Sequence, residues 1–351
     1  MGLLAHTVVN AAHQAGFELA GIAPAIPAHD FARYRDWADQ GLAGRMAYLT
    51  DHRADLRADP RSLLPSARSI LCVGKLYNTH PPPNNGQGGW ISRYAWGEDY
   101  HTTIRERLVQ LEQHLRTLST EPFESRICVD TAPLLERSYA RLAGLGWIGK
   151  NTCLINQRSG SWFLLGEILL SLALDPALQP APDRCGSCTR CIDACPTAAI
   201  VPAANGEWKL DARLCISYFT IELKGPIPEN HRAEMGNHVF GCDICQDVCP
   251  WNRRAPVTDA SEFQPRNDMH AADLERLLFA TPDEFRMSFQ GSPVSRARFS
   301  GFLRNVAVAM GNSGSERFRL PLLRLAESSQ DETVREHARW ALLRLSDDDR
   351  M

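Results

Sequence analysis

The chain has 351 residues, enough for about two or three domains with sizeable cores. Apolar residues make up 44% of it and charged residues 23%, a composition that excludes wholesale disorder, collagen and coiled coil. The formal net charge is −3, so a nucleic-acid partner would need a local basic surface, and 11 cysteines are too few for a disulfide scaffold. No export signal or membrane-spanning stretch stands out in the sequence, and we therefore expect a cytoplasmic protein with reduced thiols.

Helices and strands are predicted to alternate in the first part of the chain. Apolar residues at helical spacing predict a first helix over residues 3–19, and the β-rich segment 69–77 predicts a buried strand. An amphipathic helix is predicted over 100–118, a short strand over 127–130 and a further helix over 132–143. Because the alternation has no regular βαβ rhythm, and no Gly-x-Gly-x-x-Gly follows a strand, we expect an α+β fold without a nucleotide-phosphate loop.

The segments that follow predict a hairpin, two boundaries and a helical end. Residues 152–155 and 162–168 flank a turn at 157–160, which predicts a hairpin, and the Pro- and Gly-rich residues 81–89 predict a surface loop. Proline- and alanine-rich residues 176–183 and polar residues 253–265 mark boundaries. Beyond about residue 270 two helical segments lie about 32 residues apart, which resembles a HEAT-type repeat, with an ordinary helical bundle as the alternative.

Eight of the 11 cysteines have the spacing of bacterial ferredoxins. One set is the run Cys-x2-Cys-x2-Cys-x3-Cys-Pro that starts at Cys185, and the other is Cys-x2-Cys-x3-Cys-Pro from Cys242, with an isolated Cys215 upstream. Spacings of two residues let thiolates converge on one cubane, whereas the x3-Cys-Pro step carries the chain to the other cluster. We therefore predict two [4Fe–4S] clusters, one held by Cys185, Cys188, Cys191 and Cys249 and the other by Cys195, Cys215, Cys242 and Cys245.

Structural zinc sites are the alternative, since Cys-x2-Cys pairs also bind zinc, although Cys-x2-Cys-x2-Cys is not the usual zinc spacing. Two adjacent clusters conduct electrons and imply a group to be reduced. The remaining cysteines, Cys72, Cys128 and Cys153, lie in apolar segments and are predicted to be inert buried thiols. The segment Asp99-Tyr-His101 resembles the start of a cobalamin-binding Asp-x-His-x-x-Gly pattern, but Ile104 occupies the glycine position, so we interpret His101 as structural.

Six segments form a dense and collinear set of motifs. They are ISRYAWGEDYH at 91–101, VDTAPLLER at 129–137, AGLGWIGKN at 143–151, RLCISYFT at 213–220, GNHVFGCD at 236–243 and GCDICQDVCPWN at 241–252. This set resembles the epoxyqueuosine reductases, the cobalamin-dependent iron–sulfur enzymes of tRNA queuosine synthesis. The resemblance covers nearly the whole chain and is weakest after residue 255.

The resemblance implies a fold, cofactors and a reaction. It implies a cobalamin-binding α+β domain over residues 1–180, a ferredoxin-like domain with two [4Fe–4S] clusters over 181–255, and HEAT-like helices that contact tRNA over 256–351. The implied reaction reduces epoxyqueuosine to queuosine at the wobble position of tRNA anticodons, with electrons from an unidentified donor. Without an intact Asp-x-His-x-x-Gly pattern, the cobalamin would have no histidine ligand below the cobalt. We expect a monomer.

Asp130 is the candidate proton donor. An epoxide oxygen leaves poorly as an alkoxide, so an acid must protonate it. A carboxyl that is protonated near neutral pH needs a pKa raised by an apolar site, and Asp130 ends an apolar strand. The resemblance also puts the family's proton donor at this position. The alternative is an N-cap for the helix predicted from Ala132.

The resemblance further implies residues that contact the cobalamin. Arg57 matches a corrin-contacting arginine, with an exposed charge as the alternative, and three apolar residues lie on the predicted hairpin, with plain core packing as the alternative. Ser92 stands where some relatives have a cysteine near the cobalt, so a hydroxyl replaces a thiol there. The full set of candidate cofactor-binding residues is Arg57, Ser92, Asp130, Leu154, Leu165, Ile168, Ser217 and Phe240.

A local basic surface supports a tRNA partner. Residues 292–324 contain six arginines and a single acidic residue, Glu316, in a chain that is acidic overall. An ordinary solvated helix face is the alternative. The arginines are Arg296, Arg298, Arg304, Arg317, Arg319 and Arg324. The aromatic residues Trp90, Tyr94 and Trp96 are candidates for stacking on bases, with core packing as the alternative.

Two other functions would use the same cysteines. A reductive dehalogenase-like enzyme shares the plan of cobalamin with two clusters, but it would not need a basic helical tail. A ferredoxin-type electron carrier explains the eight cysteines, but it leaves about 180 N-terminal residues and the motif at 129–137 without a role.

Overall fold

The computed structural model describes residues 4–80, 88–175, 179–204, 206–266, 269, 272–279 and 281–348. Residues 81–87 of the predicted surface loop and residues 176–178 of the predicted boundary lie outside these ranges. The helices are α1 (Ala5–Gln14), α2 (Phe31–Asp39), α3 (Arg53–Leu56), α4 (Tyr100–Leu118), α5 (Glu136–Leu142), α6 (Arg190–Asp193), α7 (Glu229–Arg232), α8 (Ile244–Asp247), α9 (Pro282–Ser288), α10 (Phe299–Asn312), α11 (Arg319–Ser328) and α12 (Glu332–Asp348). The strands are β1 (Leu19–Pro24), β2 (Ser69–Leu76), β3 (Trp90–Ile91), β4 (Ser125–Cys128), β5 (Trp147–Ile148), β6 (Leu154–Ile155), β7 (Phe163–Leu170), β8 (Ile200–Pro202), β9 (Trp208–Leu210) and β10 (His238–Phe240).

A four-stranded antiparallel sheet organises the first half of the chain. Its strand order is β1-β2-β7-β4, and all eight residues of β2 are buried, because helices cover both faces of the sheet. Helices α1 and α4 pack on one face, around Ile104 and Leu108, and α5 packs with β5 and β6 on the other, around Tyr139. Side chains therefore alternate between two separate hydrophobic clusters along β2 and β7. This arrangement confirms the mixed helix and sheet fold.

Several predicted elements are confirmed at close to the expected positions. Helix α4 spans the predicted residues, and the Asp99 carboxylate caps it by accepting a hydrogen bond from the His101 backbone N–H at 3.0 Å. Strand β2 ends one residue earlier than expected. Helix α1 is shorter than predicted because the chain turns at Gly16, whose φ of 88° favours glycine.

Two local predictions are wrong. The predicted hairpin does not form, because β6 pairs with β5 while β7 uses both of its edges to pair with β2 and β4. The helix predicted from residue 132 begins at Glu136, since Asp130 has a φ of 48° and the Thr131 N–H bonds to the Val129 carbonyl, which turns the chain first. The N-cap position of α5 is Leu135, so Asp130 is not the N-cap of that helix.

The C-terminal helices share a hydrophobic core with the middle of the chain. Helix α12 packs against α10 and α11, and the same core contains Ile91, Trp96 and Phe240. Strand β3 pairs in parallel with β10, which ties this core to the cysteine-rich segment. No helix in the described ranges is both long enough and apolar enough to cross a membrane.

Candidate functional site

The structure brings the eight motif cysteines together in two groups. Cys185, Cys188, Cys191 and Cys249 line one cavity of about 240 Å³. Burial raises the pKa of Cys191 to about 11, and the neighbouring thiols of Cys185, Cys249 and Cys188 contribute to the increase. Burial likewise raises the pKa of Cys242, with contributions from Cys215 and Cys195, and Cys242 and Cys215 both raise the pKa of Cys245. The first four cysteines thus line one cavity, and the other four lie near one another, whereas the ligation of a cluster by each group stays a prediction.

The motif at residues 143–151 holds both cysteine groups in place. Lys150 Nζ donates to the carbonyl oxygens of Gly186 and Cys188, at 2.7 and 3.0 Å, and Asn151 Nδ2 donates to the carbonyl of Cys245 at 3.2 Å. These hydrogen bonds connect the loops that carry Cys188 and Cys245 to the segment 143–151 of the N-terminal region. Cys153, which the sequence predicts to be a buried inert thiol, is only half-buried and is hydrogen-bonded to Cys245.

Asp130 lies at the centre of a hydrogen-bonded cluster. Its Oδ2 accepts from the Tyr100 hydroxyl at 3.1 Å and lies 2.8 Å from His101 Nε2, and the Arg296 guanidinium is 3.6 Å away. The opposite ring nitrogen, His101 Nδ1, lies 2.7 Å from Asp99 Oδ1. The imidazole therefore bridges two carboxylates, and it also stacks on Tyr100 with ring centroids 4.1 Å apart.

The backbone of Asp130 is held in a strained conformation. A φ of 48° lies in the left-handed region, which non-glycine residues adopt uncommonly, although aspartate does so more often than most. The Asp130 N–H donates to Glu136 Oε1 at 2.7 Å, and this bond fixes the turn that aims the side chain at His101.

The charges of the cluster oppose the expected protonation of Asp130. Burial by itself raises the pKa of Asp130, but the hydrogen bond from His101 and the positive charges of His101 and Arg296 lower it below its usual value. Burial alone would lower the pKa of His101, yet the hydrogen bonds with Asp130 and Asp99 raise it to about 9. The expectation of an Asp130 carboxyl that is protonated near neutral pH is therefore wrong. The raised pKa of His101 and the lowered pKa of Asp130 favour the proton on His101 rather than on Asp130 at neutral pH.

Three functional neighbours of Asp130 were missed or misread in the sequence. His101 was interpreted as structural and Arg296 as an RNA contact, whereas Tyr100 received no role. Arg296 bridges Asp130 and Glu222, with its Nη2 2.8 Å from Glu222 Oε1. The Asp99-Tyr-His101 segment was the available signal, since its polar residues precede an amphipathic helix. No sequence signal placed Arg296 beside Asp130, because the two residues are far apart along the chain.

The remaining arginines of the basic segment have different surroundings. Arg304 is buried, and its guanidinium donates to the carbonyls of Phe219, Leu223 and Gly225, so its proposed contact with RNA is wrong. Arg298 and Arg324 are exposed. The other two form ion pairs, the exposed Arg317 with Asp273 and the half-buried Arg319 with Glu316. Trp96 is fully buried and donates to the Ile91 carbonyl, which excludes base stacking, while Trp90 and Tyr94 are half-buried.

The candidate cobalamin contacts are spread over several elements. Ser92 is buried, and its hydroxyl donates to Asp243 Oδ1 at 2.5 Å. Phe240 is fully buried and lies 6.1 Å, centroid to centroid, from Tyr94, which in turn packs on Tyr100. Ser217 is half-buried and follows Cys215 closely.

The other four candidates are Arg57, Leu154, Leu165 and Ile168, and the side chain of Ile168 lies on a different face of the sheet from those of Leu154 and Leu165. Arg57 is buried, and its guanidinium donates to the Arg53 carbonyl at 2.9 Å. Leu154 and Leu165 belong to the cluster around α5, but Ile168 belongs to the cluster under α1 and α4. Leu165 and Ile168 therefore point to opposite faces of the sheet, and one ligand does not reach both side chains.

Comparison with known proteins gives a consistent result over nearly the whole chain. Residues 57–131 match the family model described as epoxyqueuosine reductase QueG, DUF1730, and residues 184–252 match the model described as 4Fe-4S double cluster binding domain. The epoxyqueuosine reductase of Xanthomonas campestris pv. campestris is 43% identical, over 94% of this chain and 93% of the relative, and that of Escherichia coli K12 is 39% identical, over 93% and 86%. A crystal structure of an epoxyqueuosine reductase with an epoxyqueuosine-modified tRNA-Tyr stem loop superimposes with a TM-score of 0.88, at 28% identity, over 97% of this chain and 89% of that one. This chain belongs to the epoxyqueuosine reductase family.

Proposed function

We propose that this protein reduces the epoxide of epoxyqueuosine to the alkene of queuosine at the wobble position of tRNA anticodons, and that Asp130 and His101 deliver the proton. The observation that carries the proposal is the 2.8 Å contact between the Asp130 carboxylate and the His101 imidazole, in a chain of this family. The related structure that holds an epoxyqueuosine-modified stem loop supports tRNA as the substrate.

Two [4Fe–4S] clusters fit the two groups of cysteines, and we propose that each group of four ligates one of them. The group of Cys185, Cys188, Cys191 and Cys249 lines a cavity that also includes Lys150 and Arg190, and we place the entry of electrons from the unidentified donor here. In the other group, Cys215 and Cys242 are close along the chain to Ser217 and Phe240, two of the candidate cobalamin contacts, so we place this group next to the cobalamin.

Cobalamin is the cofactor that we propose the clusters reduce. When bound, it supplies reduced cobalt, a strong nucleophile that collects electrons which clusters deliver one at a time. Both ring nitrogens of His101 are hydrogen-bonded, so this histidine is not free to ligate a metal, which fits a cobalamin that has no histidine ligand. The residues proposed to hold it are Arg57, Ser92, Asp130, Leu154, Leu165, Ser217 and Phe240, with Ile168 contributing only its backbone.

The side chains around Asp130 are arranged to move a proton to the substrate oxygen. Conversion of an epoxide into an alkene and water consumes two electrons and two protons. His101 carries a proton at Nε2, so the proton passes from His101 to the Asp130 carboxylate and on to the departing oxygen. Asp99 keeps the other ring nitrogen protonated and fixes the tautomer, as the carboxylate does in other carboxylate–histidine pairs. Arg296 limits the build-up of negative charge at Asp130.

The C-terminal helices are the proposed tRNA surface. We assign residues 1–180 to a catalytic domain, 181–255 to a ferredoxin-like domain and 256–351 to HEAT-like helices. The exposed arginines Arg298 and Arg324 would contact phosphates, and phosphate contacts dominate the affinity of nucleic-acid complexes. We further propose a monomeric, cytoplasmic protein.

Anaerobic reconstitution followed by an activity assay tests this function. The protein is loaded with iron, sulfide and cobalamin, desalted and analysed for metal, and about eight irons and about one cobalt per chain are expected. The loaded enzyme is then given tRNA that contains epoxyqueuosine, and the digested nucleosides are analysed for queuosine. Eight irons without cobalt would exclude the cobalamin chemistry and leave an electron carrier. A full complement of both metals without queuosine formation would exclude the proposed substrate.

A further inference from the structure

Glu167 is an acidic residue in the interior of the central sheet. It lies in β7, within the most apolar stretch of the chain, and has no exposed surface. Neither of its carboxyl oxygens has a hydrogen-bond partner among the described residues. Its register partners are Cys72 of β2 and Cys128 of β4, both buried. Because these thiols cannot compensate a negative charge, the interior strongly favours the neutral, protonated form of Glu167.

Glu136 links this buried acid to the active site. It is the first residue of α5, which packs on the same face of the sheet, and its Oε1 accepts the hydrogen bond from the Asp130 N–H. The pKa of Glu167 is raised first by burial and then by the negative charges of Glu136 and Asp130. The three carboxyl groups Glu167, Glu136 and Asp130 are therefore near enough to one another to interact electrostatically, and Glu136 and Asp130 are joined by a hydrogen bond.

We propose that Glu136 and Glu167 are a positioning pair for the proton-delivering site: Glu167 holds a proton at neutral pH, and Glu136 fixes Asp130 through its backbone N–H. The hydrogen bond from the Asp130 N–H to Glu136 stabilises this left-handed backbone, whose φ of 48° is less favourable for aspartate than for glycine. When Glu167 is neutral, Glu136 and Asp130 do not experience repulsion from a third negative charge. The proposal rests on the role of Asp130 given above.

The groups around Glu167 differ in charge from the groups around Glu136. Cys72, Cys128, Glu136 and Asp130 surround Glu167, and none of them carries a positive charge. Glu136 is half-buried, and this burial, together with the negative charge of Asp130, raises its pKa to about 7. The hydrogen bond from the Asp130 N–H and the charges of Arg137 and His101 lower the pKa of Glu136 and partly offset this rise. The Glu136 oxygen accepts the backbone hydrogen bond in either protonation state. Positioning of Asp130 therefore persists on both sides of neutral pH.

The protonation of Glu167 is tested by infrared spectroscopy on the apoprotein, without any turnover. At pH 7.5, wild-type protein should show the C=O stretch of a buried protonated carboxyl group that does not exchange readily with solvent. Glu167→Gln keeps the shape and neutrality of the side chain and should lose that band while keeping a wild-type circular dichroism spectrum. An unchanged band in this variant would overturn the assignment of the proton to Glu167.

The positioning role is tested by a pair of substitutions at Glu136. In Glu136→Ala the Asp130 N–H loses its acceptor, so kcat should fall by about 10- to 100-fold with little change in KM for tRNA. The pKa of His101, followed by NMR, should fall as well, since Asp130 no longer faces it. Glu136→Gln retains an oxygen acceptor and should restore most of both properties. If Glu136→Ala kept the kcat and the His101 pKa of the wild type, the positioning role would be overturned. If instead the proposed role of Asp130 were wrong, the turnover of Asp130 variants would be unchanged.

Discussion

Replacement of Asp130 by asparagine removes the charge that faces His101 while preserving the size of the side chain. The Asp130 carboxylate and Asp99 lie 2.8 and 2.7 Å from the two ring nitrogens and together sustain the raised pKa of His101. In Asp130→Asn the imidazolium loses one of its two carboxylate partners, and the oxygen that passes a proton to the substrate is gone. We therefore expect two effects, a lower pKa of His101 and a large loss of turnover.

The size of both effects follows from the geometry. A pKa of about 9 in place of 6.5 means that the folded protein favours the charged imidazole by about 3 kcal/mol. Because burial lowers the pKa of His101, the two carboxylates together must raise it by more than the net shift, so Asp130→Asn should lower the pKa of His101 by at least about 1. Loss of a positioned general acid typically reduces the rate by about 10²- to 10⁴-fold, and we expect kcat to fall within that range.

The assay combines single-turnover kinetics with an NMR titration. Queuosine formation is measured with excess loaded enzyme on epoxyqueuosine-containing tRNA, after iron and cobalt have been matched to the wild-type protein. Asp283→Asn, on the exposed surface of α9, is the matched control and should behave as wild type. Turnover within a factor of about three of wild type in Asp130→Asn would refute the role of this residue in proton delivery.

Four further predictions address the rest of the molecule. Wild-type turnover should fall as the pH rises through about 9, because the active form needs the His101 proton, and a pH–rate profile checks this. The raised pKa of His101 also stabilises the folded protein; this stabilisation is complete below about pH 6.5 and is lost as the pH rises to about 9. Cys191→Ser should lower the iron content from about eight to about four per chain, as measured by metal analysis and EPR. Arg304→Met should destabilise the protein by about 2 kcal/mol or more in urea unfolding, since one buried and two part-buried carbonyls lose their donor, whereas the exposed Arg324→Met should have little effect. Arg298→Glu should weaken tRNA binding, with the largest difference at low salt, and equal affinity at all salt concentrations would move the RNA surface elsewhere.

The pairing of distant segments explains why some sequence predictions were wrong. The segment 152–168 has the composition of a hairpin, but β7 gains more from two neighbours in the central sheet than from one short partner. Asp130 stands where an N-cap is expected, yet its N–H is bound by Glu136 and its carboxylate by His101, which delays the helix to residue 136. In both cases contacts outside the local window decided the conformation.

The sequence by itself determined the features that depend on spacing along the chain. These are the two ferredoxin-type cysteine sets, the buried strand β2, helix α4 with its Asp99 cap, and the motifs that identify the family. Only the tertiary structure decided that the pKa of His101 is raised, that Arg296 lies beside Asp130, and that Arg304 is buried. The physical reason is that the pKa of a side chain depends on the charges and hydrogen bonds that surround it. Those partners come from remote parts of the chain and meet only when the sheet and the C-terminal helices have packed.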